Sequence, residues 1–217
     1  MKGLKFWAAA AAVTLATVAG CSAGAEHKPA QARRPGEKML PLVEQFKEAR
    51  GRAKSDFERA ALDKAIEAGK IDPADYEEAF NRYRRCAQDA GVKEGYQKQP
   101  NGIYKVLPTD IPADQKSVDA YLKTTTDCAD NAGLIRIEAL FRTQVDNPDL
   151  LADPREVAVR CLVKAGLVPA DYTVEKLMTY LRGDMTKVTD FDPANPEAKK
   201  CLNAGGLAVE VGKNGGS

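Results

Sequence analysis

The chain has 217 residues, of which 29% are charged, 44% hydrophobic and only 6% aromatic. Its formal net charge of +1 is far from the clearly basic balance of a nucleic-acid-binding domain, so no nucleic-acid partner is expected. The length suits one domain or two small halves, and a core this poor in aromatics must lean on Ala, Leu, Val and cross-links.

Lys2 and Lys5 precede an apolar run from Phe6 to Ala19, which ends in Val18-Ala19-Gly20-Cys21. A basic start, a short apolar core and small residues before a cut predict a secretory signal. The run is shorter than the ~18 residues of a membrane-spanning helix. The small residues before the cysteine resemble the lipobox of bacterial lipoproteins. That resemblance implies a signal peptide over 1–20 and a diacylglycerol-modified thiol at Cys21. It implies an exported chain whose first partner is the membrane, through its lipid anchor. Taking Lys2 and Lys5 away leaves 30 basic against 31 acidic residues, so the mature charge is −1.

Residues 21–38 are small, polar and Pro/Gly-bearing, and they predict a flexible tether. It holds His27, the single histidine. From Met39 to Ala68, apolar residues recur at spacings of three and four, which predicts an amphipathic helix that Gly51 divides. Tyr76, Ala79, Phe80, Tyr83, Cys86 and Ala87 share one helical face, and Val118, Tyr121, Leu122, Thr125, Cys128 and Ala129 share another. Ile103–Leu107 is the one short extended piece. Val157, Cys161 and Leu162 continue the helical rule, and so do Cys201 and Leu202. Asp72-Pro73 and Asp153-Pro154 pair a capping aspartate with proline at the first helical position. Asn147-Pro148, Asn195-Pro196 and Val168-Pro169 are similar start signals. The fold class is all-α, a helical domain over 39–207 built from capped helices. Residues 208–217 are expected to form a disordered tail.

One phrase occurs four times: Cys86…Gly91-Val92, Cys128…Gly133-Leu134, Cys161…Gly166-Leu167 and Cys201…Gly206-Leu207. Each glycine stops a helix in the left-handed conformation, and the next apolar residue folds back on the last turn. The expected contacts are Val92 with Ala87, Leu134 with Ala129, Leu167 with Leu162 and Leu207 with Leu202. The copies suggest two duplicated halves, 55–134 and 135–207. Four cysteines in an exported chain imply two bridges. If each half descends from one self-contained unit, the pairs are Cys86–Cys128 and Cys161–Cys201.

No metal or cofactor is expected. The body cysteines lie at least 33 positions apart and no histidine accompanies them, which does not suit zinc. The glycine and acid at Gly69 and Asp75 imitate a calcium loop, but its first three ligand positions would be Lys64, Ile66 and Ala68. Asp127–Gly133 has its glycine one place late. A Ser/His/Asp set cannot form around a histidine confined to the tether. Glu77, Glu78, Asp146, Asp149 and Asp153 are the acids available for a wall-glycan hydrolase, although solvated helix faces account for them better. Tyr76, Tyr83, Tyr121 and Tyr172 could line a ligand groove, although core packing accounts for them better.

The run Ile71-Asp-Pro-Ala-Asp-Tyr76-Glu-Glu-Ala-Phe80-Asn-Arg-Tyr83-Arg-Arg-Cys86-Ala-Gln-Asp-Ala-Gly91 resembles segments of actinobacterial lipoproteins, in which a Tyr-Glu-x-Ala helix leads to a cysteine and Ala-Gly. The resemblance spans about twenty residues. It implies the outer face of the cytoplasmic membrane and carries no activity. The expectation is a non-catalytic, membrane-anchored accessory module that binds an envelope protein. A lipoprotein holding a small apolar or wall-derived ligand is the alternative.

Overall fold

Capping side chains mark the start of six of the eight described helices. The computed structural model describes residues 34–110, 112–183 and 190–207; Cys21, His27 and the 208–217 tail lie outside them. The helices are α1 (Leu42–Arg50), α2 (Asp56–Ala68), α3 (Pro73–Asp89), α4 (Gln115–Asn131), α5 (Leu134–Asp146), α6 (Pro154–Lys164), α7 (Val174–Arg182) and α8 (Pro196–Ala204), with strands β1 (Glu94–Lys98) and β2 (Tyr104–Pro108) between α3 and α4. The fold is all-α apart from this hairpin. None of the described helices is long and apolar enough to cross a membrane.

Asp72 accepts from the Ala74 N–H at 2.8 Å, Asp153 from Arg155 at 2.9 Å and Asn195 from Glu197 at 2.8 Å, each with proline at the first helical position. Two of the expected starts are not starts. After Val168-Pro169 the chain turns, and α7 begins only when the Thr173 hydroxyl caps Lys176. Asn147-Pro148 opens a tight turn instead. The Asn147 amide donates to the Leu151 carbonyl and accepts from its N–H, both at 2.9 Å. That double clamp holds Leu150 at φ 52°, a left-handed conformation that branched and bulky residues rarely take.

The glycine phrase ends three helices as expected. The Val92, Leu167 and Leu207 N–H groups reach back to the Ala87, Leu162 and Leu202 carbonyls at 2.8–3.0 Å, past glycines with φ between 67° and 78°. The second copy behaves differently. Gly133 is left-handed, but Leu134 starts α5 rather than folding back on Ala129. The apolar period simply resumes in Leu-Ile-Arg-Ile-Glu-Ala-Leu-Phe, so the glycine makes a corner between two helices.

The disulfides are Cys86–Cys128 and Cys161–Cys201. The first joins the C-terminal turns of α3 and α4, the second those of α6 and α8. Two apolar clusters accompany them. Phe46, Leu62, Ile71, Tyr76, Phe80 and Ile137 centre the first, and Leu162, Leu177, Phe191, Ala198 and Leu202 centre the second. The division expected between residues 134 and 135 falls elsewhere in the packing. Helix α5 buries Ile137, Leu140 and Phe141 against the first cluster, and α1 joins it too, so the cores part at the 147–153 turn.

The last residues of the expected tether are not free of the body. Residues 34–38 fold onto the body: Met39 N–H donates to the Leu150 carbonyl at 2.7 Å, Ala152 N–H to Glu37 at 2.8 Å, and Gly36 N–H to both Glu156 carboxylate oxygens at 3.0 Å. Composition reads these residues as polar and mobile; the bridge between Lys38 and Leu151 uses their backbone, which composition does not report.

Helix α8 lies very close to α6 beside the second disulfide. A Cβ on Gly205 would stand 2.5 Å from the Pro154 carbonyl and 2.6 Å from the Ala158 Cβ. Gly205→Ala should therefore destabilise the domain by about 1–3 kcal/mol. Gly51→Ala, whose Cβ would meet nothing nearer than 3.5 Å, is the matched control. Equal urea midpoints for the two variants would show that the helices have room to spare.

Candidate functional site

Helix α3, strand β2 and the corner between α4 and α5 enclose an open-sided groove of about 600 Å³. Its floor is apolar. Phe80 and Tyr104 stack with centroids 4.0 Å apart and planes 7° from parallel, and Val106, Ala129, Leu134 and Ile135 continue the surface. Helix α5 is amphipathic, so its inner stripe of Leu134, Ile137 and Phe141 is buried, while Ile135 falls off the stripe and stays 44% exposed at the groove. One wall is polar: Glu138 accepts from Arg142 at 3.0 Å and from the Tyr76 hydroxyl at 3.2 Å.

The hairpin is held in place by tyrosines. In its register Tyr96 faces Val106 and Lys98 faces Tyr104. Alternation sends Tyr96 and Tyr104 toward α3, where Tyr96 meets Phe80 edge-on at 5.3 Å. The Tyr104 N–H donates to the Tyr76 hydroxyl at 2.9 Å. At the base of the hairpin three hydroxyls converge on one carboxylate. Tyr83 and Tyr121 donate to Glu94 at 2.7 Å, and Tyr96 donates at 3.1 Å. This joins α3, β1 and α4 beside the Cys86–Cys128 bridge.

Burial first, and the Glu94 carboxylate next, push the Tyr96 and Tyr121 hydroxyls up to about 12. Tyr83 is raised for the same reasons, and burial raises Tyr76 and Tyr172. An unfolded tyrosine ionises near 10. A raised folded value means that the neutral hydroxyl stabilises the native state. The contribution is complete below pH ~10 and is lost as pH climbs through about 12. Tyrosinate absorbance should stay low past pH 10 and then rise together with loss of helical ellipticity. Smooth ionisation at the ordinary value, with helix intact, would contradict the tyrosine–Glu94 arrangement.

The four tyrosines singled out in the sequence part company. Tyr83 lines the groove, and Tyr76 is buried beneath it with its hydroxyl reaching Glu138. Tyr121 turns to Glu94. Tyr172 belongs to the second core, where its hydroxyl donates to Asp190 at 2.8 Å. Tyr172 also edges a second groove of about 530 Å³ between residues 35–36, α6 and the start of α7. Tyr96, Tyr104, Glu94 and Ile135 escaped the sequence reading. The alternation of Tyr104 and Val106 was the one available hint.

The acids considered for catalysis are dispersed and engaged. Glu77 binds Lys98 and the Tyr104 hydroxyl, and Glu78 binds Arg82. Asp146 accepts from Asn101 at 3.1 Å, Asp149 pairs with Lys164 at 2.9 Å and Asp153 caps α6 while holding Arg155. Asp75, the last acid of the calcium-loop imitation, pairs with Lys64 at 3.1 Å. No group of three or more metal-ligating side chains occurs among the described residues. Compared with known protein families, with curated proteins and with solved structures, the chain shows no match.

Proposed function

We propose that this chain is an exported, lipid-anchored and non-catalytic binding module of the cell envelope, and that its working surface is the α3–β2–α4–α5 groove. The observation that carries the reading is the floor of that groove. Aromatic and aliphatic side chains lie open there on a scaffold fixed by a disulfide and by the tyrosines around Glu94. Contiguous exposed apolar surface of this kind marks interaction sites. Two disulfides suit an oxidising compartment, and the lipobox-like stretch ending at Cys21 supplies the anchor. The open side favours engagement by a segment of another envelope protein over enclosure of a small molecule. Pockets that hold small molecules bury most of the ligand surface.

A photo-crosslinking residue at Ile135, introduced in cells of the native host, tests this. The expected result is one discrete protein adduct that is missing when the probe sits at Lys199 on α8. It should also disappear when Ala129→Trp fills the groove. An adduct extractable into organic solvent would instead establish the ligand-holding alternative. Labelling at Ile135 no stronger than at Lys199 would overturn the groove as the working surface.

A further inference from the structure

The groove is bordered by a free sheet edge. Along the β1–β2 ladder the Gln99 N–H donates to the Ile103 carbonyl at 2.8 Å, and the Thr109 N–H to the Lys93 carbonyl at 3.4 Å. Antiparallel strands exchange bonds at alternate pairs. Lys105 and Leu107 therefore turn their backbone groups toward β1, and Tyr104 and Val106 turn theirs away. The Tyr104 N–H shows where that outer edge points. It donates to the Tyr76 hydroxyl at 2.9 Å, which itself donates to Glu138 on α5 at 3.2 Å. Val106 is the next residue on the same edge, and it lines the groove with Leu134, Ile135 and Glu138. The Tyr104 carbonyl, the Val106 N–H and the Val106 carbonyl thus face the groove, and none is hydrogen-bonded to a described residue.

Backbone groups in this order complement an extended peptide. A helix laid on the apolar floor would cover them and leave them without water or partner, which is costly. An added strand satisfies them and sets every second side chain beside Tyr104 and Val106 on the apolar side. Glu138 and Arg142 are the charged residues of the lining, and they neutralise each other, so the groove has no charge for an occupant to match. A second copy of this chain fits poorly. Paired about Val106, its Pro108 would stand opposite Tyr104 and could not donate to the waiting carbonyl. We propose that the groove binds a short extended segment of another protein, uncharged and apolar at alternate positions, as a third strand on the edge of β2. The inference rests on the groove being the working surface, as proposed above.

Crosslinking from a benzophenone side chain at Ile135, in cells of the native host, tests this in chains carrying Val106→Pro or Val106→Thr. Proline removes the free N–H of the edge and spares the ladder, because that N–H points away from β1. Threonine keeps it. The adduct should fall about tenfold in Val106→Pro and persist in Val106→Thr. Persistence in a Val106→Pro chain whose circular dichroism and urea midpoint match the parent would overturn the added strand alone. If proline disrupts the hairpin, amide exchange in the purified adduct of the parent chain decides. There the Val106 amide should exchange about tenfold slower than in the free chain, whereas the Leu107 amide, already paired with Gly95, should not change. Equal Val106 exchange in the adduct and the free chain would overturn the proposal. So would an adduct of two copies of this chain, or one extractable into organic solvent. No adduct from Ile135 in the parent chain would overturn the groove itself, and this inference with it.

Discussion

Replacing Cys161 and Cys201 by alanine should lower the unfolding free energy by about 4 kcal/mol, from the loop closure that the bridge imposes on the unfolded chain. The closed loop spans 40 positions, and that of Cys86–Cys128 spans 42, so chain entropy treats the two bridges alike. Their cores are unequal. Among the described residues the second cluster has ten buried members and the first has eighteen, so the second depends more on its cross-link. Alanine is the appropriate replacement because Cys201 is fully buried, and a serine hydroxyl there would add its own desolvation cost. Hydrogen exchange should show α6, α7 and α8 opening while the first core stays protected. In the Cys86→Ala/Cys128→Ala variant the loss should surface at α4 and the hairpin, with the centre of the first core closed. Uniform loss of protection in both variants would show that the two cores open as one unit.

Glu58→Ala should cost about 3 kcal/mol, because it strips a desolvated cation of its partner. Glu58 is 0% exposed and sits under the α4–α5 corner, where a Cβ on Gly133 would come within 2.9 Å of its own Cβ. Its carboxylate takes both the Nε and the Nη2 of Arg136, and accepts from the Lys54 N–H at 2.9 Å. Arg136 keeps Asp130 at 3.2 Å, and its side chain is only one-fifth exposed, so water offers partial relief. Replacing both residues by leucine should cost much less than the single change, since no buried charge is then left alone. Urea titrations of the two single variants and the double variant would give the coupling. A single-variant cost under about 1 kcal/mol would mean that the corner does not rely on this pair.

Much of this architecture was legible because it is written in local chemistry. Asp72-Pro73, Asp153-Pro154 and Asn195-Pro196 each start a helix through a hydrogen bond two residues long, and Gly91, Gly166 and Gly206 each stop one. Cysteine pairing followed from the repeat. What the sequence concealed depends on partners distant along the chain. Strand β1 reads Glu-Gly-Tyr-Gln-Lys, with one apolar residue and no usable period, and it is a strand because β2 pairs with it. Glu94 looks like a surface acid until Tyr83 and Tyr121, 11 and 27 positions away, turn toward it. Gly133 resembles the other three stops, and what distinguishes its corner is the apolar period that resumes at Leu134 together with the distant Glu58–Arg136 pair beneath it. The groove was hidden for the same reason, since four elements contribute to it and Ile135 reveals itself only by being out of phase.

The strap of residues 34–38 has a mechanical consequence. Tension applied to the chain ahead of Arg34 does not reach α1 first. It is borne by the hydrogen bonds from Gly36 to Glu156, from Met39 to Leu150 and from Ala152 to Glu37. Each contributes about 1 kcal/mol net, so a modest pull breaks them in turn. The turn that receives the load is the one between the two cores, where Leu150 is held left-handed by Asn147. Releasing the strap removes the Met39–Leu150 and Ala152–Glu37 hydrogen bonds from the joint between the cores before either core is disturbed, while the Asn147 clamp on Leu151 stays in place. Under load the domain should lengthen first by one short, low-force step of strap release, with both disulfide-braced helix pairs still intact.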